Sequence, residues 1–389
     1  MITLLLLIIY LSFISLGLPD SLLGSAWPAM RTDMALPVSY AGILSFIITA
    51  GTIVSSFLSE KVIRRFGTAA VTVVSVTMTA VALLGFSLSP GFVWLCFLAV
   101  PLGLGAGSVD AALNNFVALH YKASHMSWLH CFWGVGATAG PVIMSFFLTG
   151  AGGWKMGYRT IGVIQACLVI ILFISLPLWK KVGSEIKSDG TAGESRRFGG
   201  MLRIPGAKPA FITFFSYCAL EAAAGLWGSS YLVGNRGISP DTAAKLISLY
   251  YFGITVGRFL SGFVTMKLSN KTLIRLGEGI IVAGLACILL PLGNTLLITG
   301  FLLIGVGCAP IFPCILHETP NRFGKELSQA FMGMQMAFAY IGSTLMPPLF
   351  GLLAQVFSFA LYPFYLMALL AIMVLASEKT NLSVLKAGN

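Results

Sequence analysis

The chain has 389 residues, 57% hydrophobic and only 10% charged, with a mean hydropathy of +0.91. Water-soluble domains carry about 25% charged residues, so composition excludes a soluble fold. The net charge of +11 would suit nucleic acid, but the Lys and Arg residues sit in short segments between apolar stretches, as membrane topology demands, and no nucleic-acid partner is expected.

A helical span needs roughly 20 apolar residues. Hydropathy and turn signals predict spans at 3–29, 38–59, 68–88, 92–118, 127–150 and 157–179, then 209–234, 241–266, 271–291, 295–316, 327–354 and 358–377. The first 19 residues imitate a secretory signal but lack a positive leading segment. The apolar pattern resumes after Pro19 and Asp20, so they read as the start of span one. The polar, Gly- and Ser-containing interval 180–208 reads as a solvated cytoplasmic linker. It separates a first six-helix bundle, 1–179, from a second, 209–389, which ends in a short tail. Odd-numbered loops hold Arg31, Lys155, Arg159, Arg236 and Lys245, and Arg258 lies within a span. The other 18 of the 24 Lys and Arg residues fall on the opposite side, which places both termini in the cytoplasm.

The halves resemble each other at a nearly constant offset of 201 to 206 residues. Gly51 and Ser55 match Gly257 and Ser261, Gly103 and Gly105 match Gly305 and Gly307, Gly136 and Pro141 match Gly342 and Pro347, and Asp20 and Gly24 match Glu221 and Gly225. Four matches in the same order indicate a parallel repeat of two six-helix bundles, related by a pseudo-two-fold axis, with a binding site expected at their interface.

Charges in hydrocarbon cost at least about 2.5 kcal/mol each on insertion scales, and so mark function. Asp20, beside Pro19, can bind a proton or accept hydrogen bonds from a hydroxylated solute, or serve as a structural carboxylate paired with a neighbouring span. Asp110 and Asn114, four apart, share one helix face and form a hydrogen-bonding surface for a sugar or a polar clamp between helices. Glu221, the repeat mate of Asp20 and with Asp20 and Asp110 a candidate for proton coupling, is followed by small residues that fit a cavity lining or tight packing. Arg258 and Glu278 are read as a gating or structural ion pair. His130 suits proton coupling or a satisfied hydrogen bond. Trp27, Trp133, Trp227, Tyr250, Tyr251, Gln335 and Tyr340 are aromatic and amide candidates for solute contact; of these, Trp133, Trp227 and Gln335 join Asp20, Asp110, Asn114, His130 and Glu221 in the expected binding set. No metal site, cofactor or enzyme constellation is present. The four histidines lack acids at ligand spacing, no phosphate loop occurs, and the seven cysteines fall inside apolar segments.

The two halves, the central loop and Ser59-Glu-Lys-Val-Ile-Arg-Arg-Phe-Gly67 resemble the major facilitator superfamily. Its signature there is Gly-x-x-x-Asp-Arg/Lys-x-Gly-Arg, with Ser56 and Glu60 standing where Gly and Asp are usual. Pro19-Asp-Ser-Leu-Leu23, Gly105-Ala-Gly-Ser-Val-Asp110-Ala-Ala-Leu-Asn-Asn-Phe116, Phe312-Pro313 and Met346-Pro-Pro-Leu-Phe-Gly351 are similar to the fucose permease-like sugar–proton symporters, with Asp110 in place of the usual Glu. The resemblance implies an all-α membrane protein with twelve helices in the major facilitator fold. Asp20 would be the proton-carrying acid and Asp110 the acid that couples sugar binding to protonation. The expected activity is proton-coupled uptake of a sugar or similar small polar solute by alternating access, in a monomer of the cell membrane surrounded by lipid. A proton-driven exporter of drugs or metabolites uses the same fold and acids, and Gly134-Val-Gly-Ala-Thr-Ala-Gly-Pro141 comes near an antiporter signature. A non-transporting sensor would need a cytoplasmic output domain, for which the linker leaves no room.

Overall fold

The structure is a computed structural model that describes residues 2–121, 123–150, 152–183, 201–265, 267–290 and 293–388. Most of the expected linker, 184–200, lies outside the described residues. The described residues are helical, without strand. The helices are α1 Ile2–Asp20, α2 Leu22–Asp33, α3 Tyr40–Phe66, α4 Thr68–Ser87, α5 Phe92–His120, α6 Ala123–Leu148 and α7 Gly153–Gly183. They continue with α8 Ala207–Arg236, α9 Pro240–Val264, α10 Asn270–Leu289, α11 Asn294–Cys308, α12 Ile311–Phe323, α13 Lys325–Val356 and α14 Tyr362–Gly388, the last preceded by a 3-10 turn.

Among the described residues, eleven segments are long and apolar enough to cross a membrane. The 25-residue α9 takes the place of the expected eighth span. Several helices outrun the hydropathy estimate: α3 continues to Phe66, and α14 passes through Glu378 and Lys379. Hydropathy registers where side chains stop being apolar, whereas the backbone ladder continues until a breaker such as Gly67 (φ +80°).

Two spans are each made of two helices. The first, Leu4–Asp33, is interrupted at Ser21 just after Pro19 and Asp20, and Asn294–Phe323 is interrupted at Ala309–Pro310. Proline has no N–H to give to the preceding turn, which weakens the helix at both points, although Pro101, Pro141 and Pro177 lie within unbroken helices.

By contact, the chain divides into two compact units: Met1–Asp189 with Gly228–Phe252, and Gly190–Trp227 with Gly253–Asn389. The repeat glycines perform matching tasks within each. A Cβ on Gly136 of α6 would strike the Ile14 carbonyl of α1, and one on Gly342 of α13 would strike the Phe215 carbonyl of α8. Ile14 and Phe215 are themselves 201 residues apart, the offset of Asp20 and Glu221. Likewise Gly51 of α3 faces the backbone of Gly103 and Leu104 on α5, and Gly257 of α9 faces Val306 on α11. Without a solvent-driven hydrophobic effect, helices in a bilayer associate by such close backbone packing.

Candidate functional site

In the first unit, α1 and α6 meet backbone to backbone. Gly17 lies against the Trp133 carbonyl, and Gly140 against the Leu18 carbonyl and Ser21. This proximity brings the Trp133 indole to the break in the first span, where Nε1 donates to Asp20 Oδ2 at 2.7 Å. Asp20 is exposed although it sits near the middle of a 30-residue apolar span. His130, also exposed, lies one turn before Trp133 on α6, with its ring edge-on to Phe13 at 6.0 Å. Thus Asp20, Trp133 and His130 line one seam.

On α5, Asn114 Nδ2 donates to Asp110 Oδ1 at 2.9 Å, as their spacing of four residues requires. The Asn114 Oδ1 is buried and has no donor among the described residues. Asp110 is half-buried, and its neighbour Val109 lines one small cavity with Pro19, the neighbour of Asp20.

The second unit treats its acid differently. Glu221 of α8 meets Arg258 of α9 at 3.3 Å, with 19% and 16% of the two side chains exposed. This corrects the expected partnership of Arg258 with Glu278. Glu278 is buried on α10, and its Oε1 has no partner among the described residues. Position along a span is legible in hydropathy, but the face on which a side chain emerges is not. Arg258 and Glu278 lie at similar depths toward the cytoplasmic ends of adjacent spans, which suggests a pair, but α8 packs its own acid against α9.

Trp227 and Gln335 are placed away from these acids' hydrogen bonds. Trp227 is fully buried, donates Nε1 to the Pro347 carbonyl at 2.7 Å and packs on Phe350 and Phe359. Gln335, also buried, accepts the Thr319 hydroxyl at 2.8 Å. Trp27 and Tyr250 are buried as well, and Tyr250 packs against Tyr251. An aromatic in a span carries no sequence mark that separates packing from solute contact.

Three polar side chains escaped the sequence reading. Gln165 of α7 donates to the Ser15 carbonyl at 2.7 Å and faces the Thr79 hydroxyl at 2.6 Å. Tyr217, one turn before Glu221, donates to the Cys308 carbonyl at the break of the tenth span, 3.0 Å away. Arg275 forms a two-pronged bond to Glu378, both arms at 2.6 Å, tying α10 to α14. The signal available for Gln165 was a neutral amide inside a strongly apolar span; a search restricted to charges passes over it. Among the described residues no group of His, Cys, Asp and Glu could hold a metal ion.

These features accord with the relatives of the chain. Residues 9–208 and 209–378 match the Major Facilitator Superfamily. The glucose/mannose transporter of Bacillus subtilis (strain 168) is 22% identical over 313 residues, 79% of this chain and 77% of that protein. The hexuronate transporter of the same organism is 24% identical over 281 residues, 68% of this chain and 65% of that protein. The crystal structure of the nucleoside transporter NupG superposes with a TM-score of 0.79 at 12% identity, covering 97% of this chain and 98% of that one. The repeated halves, the broken apolar spans and the match across both halves together show that the chain belongs to the Major Facilitator Superfamily and is a multi-pass membrane transporter, not an enzyme.

Proposed function

We propose that this transporter takes up a sugar or a similar small polar solute together with protons, by alternating access, in the cell membrane with both termini cytoplasmic. The observation that carries the reading is the Asp20 carboxylate, exposed near the middle of an apolar span and held by Trp133. A carboxylate at that depth is costly unless it is used, and proton carriage is the use that its chemistry offers. Asp110, held by Asn114, is the second acid of the same half, and its neighbour Val109 shares a cavity with Pro19. Glu221, the third acid expected to take part in proton coupling, is paired with Arg258, and the present reading gives the coupling to Asp20 and Asp110. Asn114, with a spare acceptor beside Asp110, and the exposed His130 supply hydrogen bonds of the kind that a hydroxylated solute accepts and donates.

The similar proteins named as glucose/mannose and hexuronate transporters support a sugar-like cargo. A proton-driven exporter shares the fold and the acids, and the Gly134–Pro141 run is the feature that points toward it in particular. Gly136 and Gly140 of that run are used in packing α6 on α1, which gives them a reason to be present without an antiport role. The test is uptake of radiolabelled hexoses, hexuronates and nucleosides by purified protein in liposomes under an inward proton gradient. Gradient-dependent accumulation of a hexose is expected. Accumulation of none, with gradient-driven efflux of a drug-like dye, would replace this reading with export.

A further inference from the structure

Pro19 has no N–H, so the Ser15 carbonyl, one turn earlier in α1, loses its helical donor. Ser15 and Pro19 are buried, where an unsatisfied carbonyl has no water to turn to. The donor comes from 150 residues away: Gln165 Nε2 lies 2.7 Å from the Ser15 oxygen. The other end of the same amide fixes its orientation. Gln165 Oε1 faces Thr79 Oγ1 at 2.6 Å, and that hydroxyl has a single hydrogen to offer either to Gln165 or to the Val76 carbonyl at 2.9 Å. With the amide reversed, two acceptors would confront each other at Ser15, so the amide stands with its NH₂ on Ser15 and its oxygen on Thr79. Gln165 and Thr79 are both nearly inaccessible, at 1% and 3% exposure. They line one small cavity with Ser12, Ser15, Leu16 and Pro19 of α1 and with Val109, the neighbour of Asp110.

Asp20 follows Pro19 directly, and the helix is interrupted at the next residue. The direction in which its carboxylate points therefore depends on how the Pro19 turn is held. We infer that Gln165 is a positioning residue for Asp20: by bonding the carbonyl that Pro19 strips of its donor, it sets the break in the first span and keeps the carboxylate on Trp133. The inference rests on the reading of Asp20 as the proton carrier. Trp133 of α6 donates to Asp20, and His130 lies one turn before it. Among the described residues, the charged groups on the other helices packed against α1 include Asp110 on α5, Lys155 and Arg159 in the first two turns of α7, and Arg31 and Asp33 at the end of α2.

The test needs no solute. Tryptophan fluorescence of the purified full-length protein is titrated with pH, and the component lost in both Asp20→Asn and Trp133→Phe reports protonation of Asp20. Gln165→Leu should move the midpoint of that component by about one pH unit, a tenfold change in proton affinity. Thr79→Val, which removes only the orienting hydroxyl and is the gentler change, should move it the same way by less. Combining Gln165→Leu with the conservative Asp110→Asn should preserve the Gln165 shift. A merely structural Gln165 would lower the melting temperature and leave the midpoint in place in both Gln165→Leu and Thr79→Val, and that result would overturn the inference. A wild-type titration identical to that of Asp20→Asn would instead remove the proton-carrier reading beneath it.

Discussion

Trp133 donates its indole N–H to Asp20 across 2.7 Å, while the acid at the repeat-related position, Glu221, meets the Arg258 guanidinium at 3.3 Å. The difference is written at the partner positions. At the offset of 206 residues that relates Gly136 to Gly342 and Gly51 to Gly257, Trp133 corresponds to Ala339 and Arg258 to Thr52. Each half thus keeps an acid on its first span but gives it a different partner: a neutral donor in one, a full opposite charge in the other.

Trp133→Phe keeps the ring and deletes the N–H. A hydrogen bond to a charged group contributes about 1.5–3 kcal/mol, so proton-driven uptake near neutral pH should change by about tenfold or more. The check is initial-rate uptake, normalised to the amount of protein in the membrane. An unchanged rate would show that the bond to Asp20 has no part in transport.

Arg258→Gln and Glu221→Gln should each destabilise the protein more than the double variant does. Removing one member of a largely buried pair leaves the other charge uncompensated, at a cost of about 3–5 kcal/mol. Thermal unfolding in detergent across the double-mutant cycle should give a coupling of about 1–3 kcal/mol. The same cycle with Glu278→Gln in place of Glu221→Gln should be close to additive, because Glu278 is not the carboxylate that Arg258 meets.

Gly136→Val should reduce folded yield and melting temperature, since its side chain would occupy the space of the Ile14 carbonyl. Overpacking of this kind costs about 1–3 kcal/mol. Gly342→Val, against the Phe215 carbonyl, should do the same in the second half. By contrast Gly333→Ala, where an added Cβ meets nothing within 4 Å, should leave the melting temperature unchanged. Equal effects at all three positions would contradict the packing account.

Tyr217→Phe removes the donor to the Cys308 carbonyl at the break of the tenth span. Leaving a buried acceptor unsatisfied costs about 1–3 kcal/mol, measurable as a lowered unfolding temperature. Accelerated amide exchange should be confined to the residues around Ala309 and Pro310.

Much of the fold was legible because membrane insertion writes it into composition. Apolar runs gave the spans, and the offset glycines gave the repeat, since close helix approach admits no side chain at those points. Asp20 and Asp110 stood out because a carboxylate in hydrocarbon is too costly to be incidental. The Arg258 partnership was not legible, because it depends on which face of α9 turns toward α8. Gln165 and Tyr217 were passed over for a related reason: neutral polar residues are cheap enough in a span to look incidental until the carbonyl freed by Pro19, and the Cys308 carbonyl at the break of the tenth span, are located beside them.

The most direct test of the central claim is external pH in lightly buffered, de-energised cells expressing the wild type or Asp20→Asn, as a panel of sugars is added. The account predicts alkalinisation on addition of at least one sugar to the wild type, and its loss in Asp20→Asn at equal surface expression. Undiminished sugar-triggered alkalinisation in Asp20→Asn would contradict it.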